Sequence, residues 1–178
     1  ENLKKEALNK HFLNLNLLDE TAYFSLCDSN YQCEIWSAKL SNNKLQSAKK
    51  LNSNINASGC NNTQPYPALI EGEEHLFFVS NRSGGFGGLD IWVAKKADFG
   101  FDKAVNAGAV INSIDNEVTP YYNSTTQTLY FSSNWHIGFG GYDIFRSKGT
   151  INNYKSIENL GKPINSIGND YYFQQFAD

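Results

Sequence analysis

Leu76-Phe77-Phe78-Val79-Ser80-Asn81, followed by Gly85-Phe86-Gly87-Gly88-Leu89-Asp90-Ile91, decides the fold, because the same text returns 53 residues later. The second copy reads Leu129-Tyr130-Phe131-Ser132-Ser133-Asn134 and Gly138-Phe139-Gly140-Gly141-Tyr142-Asp143-Ile144. Further on, Gly108 with Ile111-Asn112-Ser113 answers Gly161 with Ile164-Asn165-Ser166. Laid out without a gap, Pro67–Asn116 falls on Pro120–Asn169. Short apolar runs bounded by Gly, Asn and Asp read as buried strands. A period of this size, built from such strands and glycine turns, predicts β-propeller blades.

A fainter copy precedes these two. Tyr23-Phe24-Ser25 matches Tyr130-Phe131-Ser132, and Glu34-Ile35-Trp36 matches Asp90-Ile91-Trp92. Its glycine loop is replaced by Asp28-Ser29-Asn30-Tyr31-Gln32, flanked by Cys27 and Cys33. The expected organisation is therefore all-β: about three four-stranded blades over 11–52, 64–108 and 117–161, with the start of a fourth over 170–178. Three blades and one strand make an arc of a larger ring, since propellers close with about 4–8 blades. Residues 1–10 carry a helical pattern, with Leu3, Ala7 and Leu8 on one face, and read as a linker or the end of a preceding helical region. The start at Glu1, without Met, reads as a piece of a longer protein.

A net charge of −3 argues against a nucleic-acid groove or a polybasic membrane surface. No apolar run reaches the ~18 residues of a membrane-spanning helix. Three cysteines without a CxxC spacing, and three scattered histidines, make zinc a poor expectation. No metal or cofactor is expected. Cys27 and Cys33 sit at opposite ends of a hairpin loop, where a disulfide can form; two free thiols is the alternative.

The repeated polar residues read as structural. Gly87, Gly88, Gly140 and Gly141 offer positive φ for tight reversals between strands. Asp90 and Asp143 sit where a carboxylate can accept hydrogen bonds from loop amides and pin the turn. A catalytic or calcium-binding acid is the competing reading, but these acids recur in every copy, whereas an active site normally occurs once. Asn112-Ser113 and Asn165-Ser166 read as Asx-type turns. Trp36, Trp92 and Phe145 share one strand register and read as core. The departures from the repeat are Trp135 and His136, which replace Arg82 and Ser83 in a loop. With Phe86 and Phe139 at the glycine-loop tips, they form a candidate partner face.

Leu76–Arg82, the glycine loop and Leu89-Asp90-Ile91-Trp92 together resemble the WD-like β-propeller repeat of TolB-type periplasmic proteins. Gly-Phe-Gly-Gly-Tyr-Asp-Ile-Phe, with Leu160-Gly161-Lys162-Pro163-Ile164-Asn165-Ser166, resembles the version in large envelope proteins of Bacteroidota. The resemblance covers 64–173 well and 20–60 weakly. It implies a periplasmic, outer-membrane-associated protein, often beside an OmpA-like domain, in type IX secretion or gliding machinery. The expected function is a non-enzymatic scaffold for envelope proteins, a secretion or gliding component or an outer-membrane barrel among them. A glycan- or peptidoglycan-proximal binding module is the alternative, and a hydrolase on the same fold the less favoured one.

Overall fold

The computed structural model describes residues 11–175. The helical reading of 1–10, and the last positions of the expected fourth unit, lie outside them. Among the described residues the chain is all-β, with three antiparallel sheets and no helix. The first sheet contains β1 (His11–Leu18), β2 (Thr21–Cys27), β3 (Cys33–Ser41) and β4 (Lys44–Lys50) in spatial order. The second contains β5 (Asn62–Ile70), β6 (Glu73–Ser80) and β7 (Asp90–Ala97), with β8 (Gly100–Phe101) and β9 (Val105–Asn106) both pairing β7. The third orders β10 (Glu117–Asn123), β11 (Thr128–Ser133), β12 (Asp143–Lys148) and β13 (Glu158–Asn159).

The central strand of the second sheet is apolar on both faces because that sheet lies between the other two. Along β6 the alternation assigns the faces. Leu76 and Phe78 pack with Tyr23, Ile35 and Ile55 of the first sheet's side. Phe77 and Val79 pack with Val118, Leu129 and Phe131 of the third. The repeated aromatic register is core: Trp36 pairs with Phe24, Trp92 with Phe78 and Phe145 with Phe131, and all six are buried. Full burial of each such ring contributes roughly 1.5–3 kcal/mol.

A polar lock also joins the first two sheets. Tyr23 donates from its phenol to Glu74, and Lys96 Nζ reaches Tyr23 OH at 2.7 Å and Glu74 at 3.2 Å. Burial, reinforced by the Glu74 carboxylate, holds the Tyr23 phenol far above its ordinary range. Burial likewise raises Tyr154 and Tyr122, and pushes Tyr66 up to about 12. An unfolded tyrosine ionises at about 10, so as pH rises the unfolded chain loses its phenolic protons first and is stabilised relative to the folded one. This contribution to stability is complete below about pH 10 and is lost as pH climbs toward and through 12. Tyrosinate absorbance is expected to appear together with loss of the far-ultraviolet sheet signal. Tyrosinate forming near pH 10 with the sheet signal intact would contradict this.

The repeat is locked by an asparagine at one position in each copy. Asn56 Oδ1 accepts from Ile35 N at 2.7 Å, and its Nδ2 donates to Ile35 O at 2.8 Å. Asn112 does the same with Ile91, and Asn165 with Ile144. The side-chain amide thus stands in for one residue of a neighbouring strand. This differs from an Asx turn, in which the side chain caps its own backbone. The following serine has its own clamp: Ser113 N and Oγ donate to Glu117 at 2.6 Å, and Ser166 N donates to Asp170 at 2.7 Å.

The gapless layout slips by two residues in the first strand of the repeat. Thr63 and Tyr66 flank a bulge in β5 as Val118 and Tyr121 flank one in β10. Pro65, and not Pro67, is therefore the counterpart of Pro120. The turn after β5 is Glu71-Gly72, whereas four residues separate Asn123 from Thr128.

Candidate functional site

The glycine loops are held by their carboxylates. Asp90 accepts from Phe86 N at 2.6 Å, Gly87 N at 3.2 Å and Asn106 Nδ2 at 2.8 Å. Asp143 accepts from Phe139 N at 2.7 Å and Gly140 N at 3.1 Å. Asp143 Oδ1 and Asn159 Nδ2, the counterparts of the Asp90–Asn106 pair, are both buried without a partner. Glu117, fully buried, accepts from Ser113 and from Ser133 Oγ at 2.7 Å. These acids close loops.

The glycines are needed for a reason other than positive φ. In the second sheet's loop only Gly84 is left-handed. A Cβ on Gly87 would meet the Ile114 carbonyl carbon at 2.3 Å, and one on Gly88 the Asn116 Oδ1 at 2.5 Å. The loop lies flat on the connection to the next sheet, where Gly88 N donates to Asp115 O and Glu117 N to Leu89 O, both at 2.7 Å. Gly141 N and Asp170 N repeat this contact with Gly168 O and Tyr142 O.

Phe86, Trp135 and Phe139 are each about half exposed, and Ile114, Ile137 and Ile167 are more exposed still. His136 turns inward. It stacks edge-on against Phe145 at 5.3 Å and approaches Ile111 O at 3.4 Å. It takes the place that Arg82 holds one repeat earlier. There the guanidinium donates to Asn54 O, Ile55 O and Asn62 Oδ1 and lies over Phe78. Burial lowers the Arg82 pKa to about 10.

A concave site lies elsewhere, where the first strands of the sheets converge. A cleft of about 200 Å³ is lined by β1, β5, β10 and the segment 172–174. Each lining piece bends through one left-handed residue: Asn14 (φ 53°), Gln64 (φ 51°), Thr119 (φ 53°) and Tyr172 (φ 60°). Such a backbone is costly for any residue with a Cβ, and most for β-branched Thr119. The four are joined to one another or to the next strand. Thr119 N donates to Gln64 Oε1 at 2.7 Å, Asn16 Nδ2 to Pro65 O at 2.8 Å, and Tyr172 OH to Asn14 Oδ1 at 2.6 Å. Tyr66 and Tyr121 meet edge to face at 5.2 Å on the same wall. Burial, and then the neighbouring Tyr121, hold the Tyr66 phenol neutral at any ordinary pH.

The lining carries amides, hydroxyls and aromatic rings but no charged side chain among the described residues. Nor does any group of three or more His, Cys, Asp or Glu gather to hold a metal among them. Such a wall can recognise an uncharged, hydroxyl-rich ligand. Sequence reading missed it. The four bent residues are of four different types, so no shared letter marks them.

No family model matches this chain, and no curated protein matches it. Solved structures do. A thermostable family-43 glycoside hydrolase superposes with a TM-score of 0.54 at 14% identity, over 84% of this chain and 54% of that one. An α-L-arabinofuranosidase from Lactobacillus brevis superposes with a TM-score of 0.50 at 11% identity, with the same coverages. The chain thus spans about half the length of these structures. At such identities the likeness is one of fold.

These findings correct the reading built on the TolB-like repeat. The resemblance to Bacteroidota envelope proteins finds no matching family, and the superposing structures are glycoside hydrolases. The expectation of a non-enzymatic scaffold in outer-membrane, type IX secretion or gliding machinery falls with it, as does the OmpA association. The physical reason lies in the motif. Its glycines, aspartates and asparagines close loops and lock sheets, so their presence specifies a repeat and is silent on activity. Recurrence argued only that the recurring acids are structural. It said nothing about a cleft built from residues that do not recur.

Proposed function

We propose that the three sheets are blades of a propeller and that the cleft between their first strands binds carbohydrate, as part of a glycoside hydrolase. The observation that carries this is the ring of neutral hydrogen-bonding groups from Asn14, Gln64, Thr119 and Tyr172 around a cleft walled by Tyr66 and Tyr121. Amides and hydroxyls match the alternating donors and acceptors of a sugar, and aromatic rings match its apolar face. The likeness to family-43 structures supports the same reading. The hydrolytic acids are assigned to no residue here, since each buried carboxylate described above is already engaged by its loop.

The test is a panel of aryl glycosides, α-L-arabinofuranosides among them, with calorimetry on the free sugars. Gln64→Ala and Tyr121→Ala are each expected to weaken sugar binding about tenfold, equivalent to ~1.4 kcal/mol. A protein that binds no sugar and turns over no glycoside would sink the reading. The Cys27–Cys33 disulfide supports a further part of the proposal, that the protein works in an oxidising compartment such as the periplasm or cell surface.

A further inference from the structure

Cys27 and Cys33 are joined by a disulfide across the β2–β3 pair, with their Cα atoms 4.0 Å apart, while Cys60 is a free thiol. Cys33 and Cys60 line one cavity of about 280 Å³ between the first sheet and the connection to the second. Cys33 N donates to Oδ1 of Asn61, the residue after Cys60, at 2.9 Å, and Asn61 N in turn donates to Asn81 Oδ1 at 2.7 Å. Cys27 is fully buried and Cys60 half-buried, so Cys60 is the sulfur within reach of solvent base. Lys50, Glu34 and Asp28 line the same cavity, and Lys50 pairs with Glu34 at 2.5 Å.

We infer that the three cysteines form an exchange switch that moves the crosslink from within the first sheet to the junction between the first and second. The Cys60 thiol loses its proton, and its sulfur attacks Cys33 Sγ. A Cys33–Cys60 bond forms as the Cys27–Cys33 bond breaks. The electron pair leaves on Cys27, which takes up a proton. No external oxidant or reductant is consumed. In the starting state the crosslink closes the β2–β3 hairpin where the other repeats have a glycine loop. In the exchanged state it ties β3 to the 57–61 connection and frees that hairpin loop. The Cys27–Cys33 pairing, which the structure holds, is the resting one.

The experiment is acid quenching of the intact protein after incubation from about pH 6.5 to about pH 8.5, with and without a trace of small thiol, then alkylation and peptide mapping. The expected result is label on Cys60 alone at the lower pH. Label on Cys27, with a Cys33–Cys60 crosslinked peptide, is expected to appear sooner at the higher pH, because the attack needs a thiolate. Label confined to Cys60 under every condition, with only the Cys27–Cys33 peptide, overturns the inference. Cys27→Ser gives an independent reading, because it should form the Cys33–Cys60 crosslink quantitatively in air. Two free thiols persisting in folded Cys27→Ser would also overturn it. Should that variant fail to fold, the wild-type map decides alone.

Discussion

Gly140→Ala is expected to lower stability by about 3 kcal/mol or more, which at this chain length is on the order of a 10 °C fall in melting temperature. The new Cβ would lie 2.0 Å from the Gly168 carbonyl oxygen and 2.9 Å from the Ile167 carbonyl carbon. Both obstacles are backbone, so no rotamer change relieves the clash. The loop would have to lift off the connection beneath it, breaking the Gly141 N to Gly168 O bond. The Asp143 contacts to Phe139 N and Gly140 N would then be strained as well. Gly168→Ala is the matched control. Its Cβ would meet its nearest neighbour, Ser166 Oγ, at an ordinary 3.4 Å, and its φ lies outside the left-handed region. A change within about 0.5 kcal/mol is expected there. Urea melts of the two variants decide the matter. Equal stabilities would refute the close-approach explanation of the glycine loop.

Asn112→Ala is expected to cost about 2–3 kcal/mol, because it leaves Ile91 N–H buried without a partner and takes one of two donors from Ile91 O, which keeps Ala107 N at 3.0 Å. Ile91 is fully buried, so water cannot replace the lost amide. Asn106 Oδ1 loses a donor at 2.8 Å as well. Asn112→Asp separates the two halves of the clamp. Its carboxylate can still accept from Ile91 N but presents negative charge to Ile91 O. Burial raises its pKa above the unfolded value of about 3.9, so its deficit is largest at neutral pH. Once protonated it can donate to Ile91 O again, and the deficit should shrink as pH falls. Denaturation at pH 7 and near pH 4, each referred to wild type, checks this. A deficit independent of pH would mean that the charge is not what the aspartate costs.

Much of the fold was legible because it is written locally. The apolar runs at Leu76–Ser80 and Leu129–Ser133 became β6 and β11, and Asp90 and Asp143 bind the loop amides preceding them. Each involves residues within one hairpin, so spacing along the chain is enough to show them. The two-residue slip between Pro65 and Pro120 was less visible. A turn can shorten without disturbing the strands it joins, and Pro67 supplied a false match. The role of Asn56, Asn112 and Asn165 was half legible. Their recurrence marked them, but their partner lies 21 residues back on another strand.

The cleft was not legible at all. Asn14, Gln64, Thr119 and Tyr172 share a left-handed backbone that no common side chain encodes. It is imposed by contacts between sheets, such as Thr119 N on Gln64 and Tyr172 OH on Asn14, which span 55 and 158 residues. The inward turn of His136 into the place of Arg82 is of the same kind. By itself, then, the sequence determined the repeat, its strands and the loops that close them, since these depend on neighbours in the chain. Only the tertiary structure decided where a ligand could sit and which sulfurs share a cavity. Those depend on side chains that meet because three sheets, each unable to bury its faces alone, pack against one another.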